Sequence, residues 1–310
     1  MVHVTRSIAV LDAPSNLGLR PPYDGHQPGV RGLAAALRGH DLVDRLGATD
    51  AGGVEPPPYS FADEPVTGFR NGPAIADFSV RLADRVGRIL DEGRFPLVLG
   101  GDCGIVLGPV LALRRRGAYG LVYLDGHDDY SPLRDPESRH GRFAAGGMGL
   151  ALATGHGPAA LADLEGLGPY VAEEHAVHIG VQYEPEDLVL YDNEPFQTSP
   201  IHRYPIEYVR EHGAAAATEA GRRDLAAAPV EGYWIHIDAD VLDKSVMPAV
   251  DSPNPDGLSF PEFTEALAIL LADPRAVGMH VGIYDPELDP SGEAGRALVD
   301  ALVTAFTARR

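Results

Sequence analysis

The chain has 310 residues, of which 45% are hydrophobic and 23% charged, an ordinary balance for a globular protein with a large core. Its formal net charge of -20 argues against nucleic acid and against an anionic membrane as partners, because both are negatively charged. Clustered carboxylates would instead attract metal ions or substrates that carry a guanidinium or an amine. An acidic, solvated surface without such a partner would give the same net charge.

Cys103 is the only cysteine, so a disulfide within the chain is excluded and a reducing compartment is expected. The N-terminal segment MVHVTRSIAVLDAP is too short and too interrupted to be a signal peptide. No apolar run reaches the roughly 18 residues that a membrane-spanning helix needs. These features together predict a cytoplasmic protein.

Short apolar runs alternate with longer helical patterns along the chain. The short runs predict strands at Ser7–Asp12, Leu97–Gly100, Tyr119–Asp125, Ala176–Gln182, Tyr233–Asp238 and Ala276–Tyr284. The longer patterns predict helices at Val30–Arg45, Ala74–Glu92, Ile105–Arg116, Phe143–Thr154, Ile206–His212, Pro261–Leu271 and Gly292–Thr307. This alternation predicts a three-layer α/β/α fold, in which helices cover both faces of a mainly parallel sheet.

Three stretches rich in proline and glycine predict long surface loops, at Leu19–Gly29, Gly52–Phe61 and Pro248–Gly257. No internal repeat is found, and these stretches are typical of loops rather than of domain linkers. We therefore expect one domain over residues 1–310. The Ala-rich stretch Gly213–Ala220 shows no chemistry of its own.

Three of the predicted strands end in a burst of polar residues. The segments are LVLGGDCG (Leu97–Gly104), LVYLDGHDDY (Leu121–Tyr130) and WIHIDADVLD (Trp234–Asp243). In an open parallel sheet, ligands bind beyond the carboxyl ends of the strands, so these segments can converge although they are distant in sequence.

The second and third segments carry alternating acidic residues. Asp125, His127 and Asp129 project to one side of an extended backbone, and so do Asp238 and Asp240. Four carboxylates and an imidazole in a small space would raise each other's pKa values, and cations remove that conflict. A single such pair is usually a turn or a cap. Their joint occurrence at separate strand ends favours a metal site, for which Mn²⁺ suits the carboxylates and Zn²⁺ or Fe²⁺ could substitute.

The same segments resemble a known family. GGDCG, DGHDD and HIDADVLDKSVMPAVDSPNPDGLS resemble the three signature blocks of the arginase/agmatinase ureohydrolase family, which read GGDHS, DAHxD and SxDxDxxDPxxxPGxxxPxxGGLT. Three further segments resemble family segments in the same order: GVRGLAAALRGHDLVDRLG, HIGVQYEPEDL and VGIYDPELDP. The resemblance covers most of the chain, and it implies an eight-stranded sheet and a homotrimer or homohexamer.

The resemblance implies two Mn²⁺ ions per subunit, bridged by Asp125 and Asp238. It implies that the remaining ligands are Cys103 and Asp129 for one ion and His127 and Asp240 for the other. A bridging water between two cations about 3.5–4 Å apart would supply hydroxide near neutral pH and attack a planar guanidinium carbon.

Proton transfer and substrate contacts are also implied by the resemblance. Asp129 would accept the proton of the water and pass it to the leaving amine, and His140 takes the place of a mobile proton-shuttling histidine. An exposed loop histidine without a role is an equal alternative for His140. The implied substrate contacts are Ser131, Glu184, Asp187 and Glu287.

Two positions depart from the family pattern. Cys103 replaces the first metal-ligand histidine; a thiolate there would prefer Zn²⁺ or Fe²⁺, whereas an inert buried cysteine would leave that metal position weak or empty. Ile283 stands where the family has the glutamate that pairs with the guanidinium. Glu287 could replace that glutamate only if its loop is remodelled. Both departures, together with Ser131 in place of a family asparagine, weaken the case for arginine itself as substrate.

The leading hypothesis is an amidinohydrolase that acts on an arginine-like, agmatine-like or N-hydroxyarginine-like compound and releases urea or hydroxyurea. One alternative is an amide deacylase with a single metal held by Asp125, His127 and Asp240. A second is an arginase-fold binding protein that has lost catalysis. A third is a hydrolase that uses Cys103 as nucleophile, although no separate histidine and acid are evident to activate it.

Overall fold

The computed structural model describes residues 6–62, 64, 67–130, 144–183 and 194–308. Within them, eight strands form one sheet in which every neighbouring pair is parallel, in the order β2-β1-β3-β8-β7-β4-β5-β6. The strands are β1 Ile8–Asp12, β2 Thr49–Gly53, β3 Phe95–Leu99, β4 Gly120–Leu124, β5 Ala176–Ile179, β6 His202–Tyr204, β7 Tyr233–Asp238 and β8 Ala276–Gly282. The predicted parallel sheet of about eight strands is confirmed.

The six strands that the sequence predicts are all present, whereas both strands at the edges of the sheet were missed. Every residue of β3, β4, β7 and β8 is buried, as expected for central strands covered on both faces. The edge strands β2 (TDAGG) and β6 (HRY) are exposed or half-buried and have no apolar run. Burial of the central strands is what makes them recognisable in the sequence.

Helices cover the sheet. They are α1 Leu33–Arg38, α2 Leu42–Leu46, α3 Gly72–Asp91, α4 Leu107–Arg114, α5 Gly149–Ala153, α6 Ala159–Ala162, α7 Glu194–Thr198, α8 Ile206–His212, α9 Ala214–Ala227, α10 Phe260–Ala272 and α11 Glu293–Ala308. The prediction of one helix over Val30–Arg45 was wrong, because Asp41 has a left-handed φ of 59° and divides α1 from α2. None of the helices in the described ranges is long and apolar enough to cross a membrane.

Helix α9 was not predicted, because its buried face consists largely of small residues rather than a stripe of large apolar ones. Ala214, Ala217 and Gly221 are buried on it. A Cβ on Gly221 would lie 2.5 Å from a methyl carbon of Val177 in β5, so the absence of a side chain allows the helix to approach the sheet closely. Alanine has the highest helix propensity, which explains the helix without an amphipathic pattern.

Two hydrophobic clusters, one on each face of the sheet, complete the three layers. On one face Phe78 of α3 packs in a cluster that also contains Trp234 of β7. On the other face Phe263 of α10 and Leu298 of α11 share a cluster with Ile235 of β7. Successive side chains of β7 therefore pack against the helix layers on opposite faces of the sheet. The carboxyl ends of the central strands are where a ligand site is expected.

Candidate metal centre

The three polar segments meet at the carboxyl ends of β3, β4 and β7. Cys103 begins a 3-10 turn, Cys103–Val106, that follows β3. Asp125 follows β4 directly, and Asp238 is the last residue of β7. Asp240 lies in the next 3-10 turn, Ala239–Val241. In the sheet β4 and β7 are neighbours and only β8 separates β7 from β3, which is why residues more than a hundred positions apart share one site.

Buried hydrogen bonds hold the turn that carries Cys103. The carboxylate of Asp102 accepts hydrogen bonds from the backbone N–H of Gly104 at 2.9 Å, from the Ser15 hydroxyl at 3.0 Å and from the backbone N–H of Gly18 at 3.1 Å. Asp102 caps the turn in this way and has no separate ligand role. The turn therefore holds Cys103 over the sheet.

Two groups of side chains offer ligand atoms within 4.8 Å of one another. We call Cys103, Asp125, His236 and Asp238 the cysteine half, and Asp125, His127 and Asp240 the histidine half. Asp125 belongs to both halves. In the structure Asp238 belongs to the cysteine half only, and Asp129 to neither.

Asp238 accepts one hydrogen bond from the cysteine half and one from the histidine half. The Cys103 Sγ donates to Asp238 Oδ2 at 2.8 Å, and the other oxygen of Asp238 accepts from the backbone N–H of Asp240 at 2.7 Å. Burial, and then the charge of Asp238, raise the pKa of the Cys103 thiol well above its usual value. In this arrangement Cys103 is a protonated thiol, which has to lose its proton before it can bind a metal ion.

The histidine half contains an ion pair. Nδ1 of His127 lies 2.9 Å from Oδ2 of Asp240, whose other oxygen accepts from the backbone N–H of Gly126 at 3.1 Å. Burial opposes the charged forms, but the neighbouring His127 lowers the net pKa of Asp240 and the neighbouring Asp240 raises the net pKa of His127 well above its usual value. The half is thus nearly balanced in charge. The backbone N–H of His127 also donates to Asp125 Oδ1, at 2.6 Å.

The remaining carboxylates carry an electrostatic cost. Burial, then the charges of Asp129 and Asp238, raise the pKa of Asp125 well above its usual value. Burial also raises the pKa of Asp129 to about 8, although the Tyr123 hydroxyl, which donates to Asp129 Oδ2 at 2.7 Å, lowers it. Buried carboxylates gathered without countercharge are unfavourable in their ionised form.

This donor set fits a divalent cation. Oδ2 of Asp125 is buried and has no hydrogen-bond partner in the described part of the chain. An unpartnered buried carboxylate oxygen requires an explanation, and a metal ion supplies one. Carboxylates with an imidazole and a thiolate are donors that Mn²⁺, Zn²⁺ and Fe²⁺ accept.

The sequence analysis missed His236. It lies two residues before Asp238 on the same face of β7, so the alternation HxDxD carried the signal. His236 is fully buried in an otherwise apolar strand and resembles a core residue when the strand is considered alone. Only its neighbours on adjacent strands show that its Nε2 lies 3.6 Å from Asp125 Oδ2.

The predicted proton shuttle and most predicted substrate contacts cannot be placed. Ser131, His140, Glu184 and Asp187 lie outside the described residues. Glu287 is described: its Oε2 lies 2.7 Å from Nε2 of His26.

A cavity of about 710 Å³ has Glu287 in its wall, together with Asp251, Asp285 and Met148. Asp251 belongs to the predicted loop Pro248–Gly257. Loss of hydration, and then the charge of Asp240, raise the pKa of Asp251 to about 6, although the residue is exposed.

Ile283 follows β8, is buried, and has a left-handed φ of 70°. A β-branched residue rarely adopts this conformation. Its backbone N–H donates to the carbonyl of Gly101 at 2.8 Å, which holds the segment against the GGDCG turn.

Comparison with known proteins identifies the family of the chain. The family model described as "Arginase family" matches residues 8–307. An arginase of Staphylococcus aureus (strain COL) is 28% identical over 312 residues, covering 97% of this chain and 97% of that protein. The arginase of Bacillus subtilis (strain 168) is 27% identical over 305 residues, 95% of this chain and 96% of that one. The crystal structure of Bacillus caldovelox arginase superposes with a TM-score of 0.84 and 26% identity, over 97% and 98% of the two chains.

The chain therefore belongs to the arginase family, as its sequence motifs indicated. It is a hydrolase that acts on C–N bonds, a metal-dependent amidinohydrolase in its general class.

Proposed function

We propose that this protein hydrolyses a C–N bond of a small guanidino compound at a centre for two Mn²⁺ ions, and that it releases urea or a substituted urea. The observation that carries the proposal is Asp125, which belongs to both halves and has one buried oxygen without a partner. In this proposal Cys103, Asp125, His127, Asp129, Asp238 and Asp240 would hold the ions. Zn²⁺ or Fe²⁺ could replace Mn²⁺, because a thiolate prefers softer ions.

Cations at this centre would supply Lewis acidity and make water acidic near neutral pH. The chain itself provides the proton transfer. In the metal-free chain, burial raises the pKa of Asp129 to about 8, and its carboxylate is the group that we propose as the proton acceptor and donor. The hydroxyl of Tyr123, 2.7 Å away, fixes the orientation of this carboxylate. We propose that Asp129 accepts the proton of the attacking water and transfers it to the leaving amine, with His140 as the shuttle to solvent.

The cavity described above supports a cationic or strongly dipolar substrate. Its wall contains the carboxylates Asp251, Asp285 and Glu287. Asp285 already accepts hydrogen bonds from the backbone N–H groups of Gly29 and Glu287. Asp251 is therefore the acid of this wall that we propose first for substrate binding, together with Ser131, Glu184, Asp187 and Glu287, although Oε2 of Glu287 already lies 2.7 Å from Nε2 of His26. Ile283 offers no charge, so a guanidino compound less basic than arginine is a reasonable candidate.

The test is urea release by Mn²⁺-loaded protein from a panel that contains arginine, agmatine, N-hydroxyarginine and shorter guanidino acids. We expect urea or hydroxyurea from at least one compound, and loss of that activity after treatment with a chelator. Turnover of a guanidino compound that survives complete metal removal would contradict the metal mechanism. Failure on the entire panel would contradict the proposed substrate class.

A single-metal amide hydrolase is a second candidate. The observation that favours it is the hydrogen bond from the Cys103 thiol to Asp238, which leaves the histidine half as the more readily available donor set. A panel of acylated amines separates the two functions, because this candidate releases a free amine and no urea. One tightly bound metal ion per chain would accompany that result.

The family resemblance further supports a homotrimer or homohexamer in the cytoplasm as a proposal. Light scattering coupled to size-exclusion chromatography measures the mass of the assembly directly. A monomer at micromolar concentration would contradict the proposed assembly and would leave the proposed chemistry unaffected.

A further inference from the structure

A row of four buried rings crosses the centre of the sheet beneath the carboxylates. In the strand register, Tyr123 of β4 pairs with His178 of β5 and with His236 of β7, and His236 pairs with His280 of β8. The exposed fraction of all four side chains is 0%. Asp125 and Asp238 lie two residues beyond Tyr123 and His236, so the row forms the floor of the candidate metal centre.

His236 has little freedom to rotate within this row. Its ring stacks on that of Tyr123, with centroids 3.7 Å apart and an interplanar angle of 9°. Its other neighbour, His280, meets it at 73° with centroids 4.5 Å apart. The two ring nitrogens consequently have fixed surroundings: Nδ1 lies 2.5 Å from Nε2 of His280, and Nε2 lies 3.6 Å from Oδ2 of Asp125.

The direction of the hydrogen bonds follows from one residue at the far end. The indole of Trp234 can only donate, and its Nε1 lies 2.7 Å from Nδ1 of His280. That nitrogen of His280 must therefore accept. An imidazole that accepts a hydrogen bond at one ring nitrogen is neutral and carries its single proton on the other nitrogen.

The remaining protons are then assigned by elimination. A neutral His280 that accepts at Nδ1 carries its proton on Nε2 and donates it to Nδ1 of His236. His236, which accepts at Nδ1, must carry its own proton on Nε2, the atom that faces Asp125. The opposite assignment would set the N–H groups of Trp234 and His280 against each other in the core, and such a conflict is costly.

We propose that Trp234, His280 and His236 form a directional hydrogen-bond chain that makes His236 a donor to Oδ2 of Asp125, and thus a positioning residue for the shared carboxylate rather than a metal ligand. A movement of a few tenths of an ångström would bring the two atoms within the usual N–H···O distance. Neither atom has another partner among the described residues. Cys103 is then the only metal ligand of the cysteine half that is not a carboxylate.

The positioning role depends on the proposed metal centre, whereas the tautomer of His236 does not. This separation makes the proposal testable without substrate. Histidine labelled with ¹⁵N gives different chemical shifts for protonated, unprotonated and metal-bound ring nitrogens. The signals of His236 are identified by their loss in a His236→Gln variant.

The experiment records long-range ¹H–¹⁵N spectra of the full chain, without metal and after loading with ¹¹³Cd²⁺, which does not broaden the signals. We expect a protonated Nε2 and an unprotonated Nδ1 for His236 in both forms, and no ¹¹³Cd–¹⁵N coupling. A protonated Nδ1, or a coupling between cadmium and Nε2 of His236, would overturn the proposal. Absence of urea release with the expected tautomer would count against the proposed function alone.

Trp234→Phe tests the origin of the chain, because it removes the donor and keeps an aromatic ring. We expect the ¹⁵N chemical shifts of His280 and His236 to move toward those of a mixture of tautomers. We also expect the affinity for Zn²⁺ to fall about 10-fold, the smaller loss typical of a residue that orients a metal ligand without binding the metal. The matched control is Tyr233→Phe, which removes a hydroxyl bonded to the carbonyl of Leu270 on the opposite face of the same strand. Unchanged tautomers in Trp234→Phe would also overturn the proposal.

A conservative replacement distinguishes a donor from a ligand. In His236→Gln the amide N–H can still donate to Asp125, whereas His236→Leu cannot donate. We expect the affinity for Zn²⁺ to fall about 10- to 100-fold in the leucine variant and clearly less in the glutamine variant. Equal losses in the two variants would contradict the donor role. If the leucine variant does not fold, the tautomer measured in the unaltered protein still decides the question.

Discussion

The cysteine half and the histidine half share Asp125 but differ in how the charge of their buried carboxylates is compensated. In the histidine half, His127 forms an ion pair with Asp240, and its side chain is 38% exposed. In the cysteine half, every side chain is buried, and a protonated thiol faces a carboxylate. The histidine half is therefore nearly balanced before a metal binds, whereas the cysteine half depends on an added positive charge and on proton loss from Cys103.

The largest effect is expected where the two halves meet. Asp125→Asn removes a negative charge from both, so metal affinity and urea release should each fall by more than about 100-fold, beyond the loss caused by an outer-shell partner. The matched control is Asp77→Asn on α3, which removes an exposed ion pair with Arg81. Isothermal titration with Mn²⁺ and the urea assay measure both variants. Near-normal metal binding in Asp125→Asn would show that the halves do not share this carboxylate.

Variants of the individual halves should separate them. His127→Asn is expected to weaken the ion of the histidine half, and Cys103→Ser the ion of the cysteine half, each with a smaller loss than Asp125→Asn. Cys103→His should shift the preference of the cysteine half from Zn²⁺ and Cd²⁺ toward Mn²⁺, because the soft thiolate is removed. Competition titrations measure this preference. An unchanged preference would show that Cys103 is an inert buried residue.

The pH dependence of metal-induced stabilisation tests the charge imbalance. Burial raises the pKa of Asp129 to about 8, above its value in the unfolded chain. Its stabilising contribution to the metal-free protein is thus fully present below the unfolded pKa and is lost as pH rises through about 8. A bound cation compensates for the carboxylate charge, so the rise in Tm on loading should be larger at pH 9 than at pH 6.5. In free energy, the stabilisation by metal should grow by about 1.4 kcal/mol per released proton and pH unit.

Other buried titrating groups do not reverse this trend. Burial lowers the pKa of His178 and His280 to about 3, so both imidazoles are neutral in the folded state throughout this range. Their contribution to stability is present above about pH 6.5 and falls only under more acidic conditions. Differential scanning calorimetry measures the Tm with and without Mn²⁺. A stabilisation that decreases between pH 6.5 and pH 9 would contradict the assignment.

The smallest effect is expected away from both halves. Ser259 begins α10 with a capping box, in which it accepts from the backbone N–H of Glu262 and Glu262 accepts from the backbone N–H of Ser259. Ser259→Ala should lower the free energy of unfolding by about 1 kcal/mol and leave metal affinity unchanged. Glu265→Ala, at an exposed position of the same helix, serves as the control and should change stability by less than about 0.5 kcal/mol. Weaker metal binding in Ser259→Ala would show that the start of α10 influences the metal centre.

The comparison also shows what the sequence could reveal. All residues of the two halves except His236 were predicted from the sequence, because buried central strands are continuous apolar runs and the polar residues at their ends are easily recognised. The role of His236 depends on Trp234, two residues earlier on β7, and on His280, its register neighbour on β8, which cannot be identified from one strand alone. Edge strands β2 and β6 lack an apolar pattern. Neither propensity nor periodicity indicates the left-handed conformation of Ile283, because the surrounding structure imposes it.

Counting the metal ions bound by the protein tests the account most directly. Elemental analysis after Mn²⁺ loading at pH 8 is expected to give about two equivalents per chain, as a carboxylate shared by two cations requires. Asp125→Asn under the same conditions should retain fewer than about half an equivalent, since both halves lose a ligand. One equivalent in the unaltered protein would contradict the two-metal centre and support the single-metal candidate. No bound metal would contradict the proposed role of Asp125 as a metal ligand.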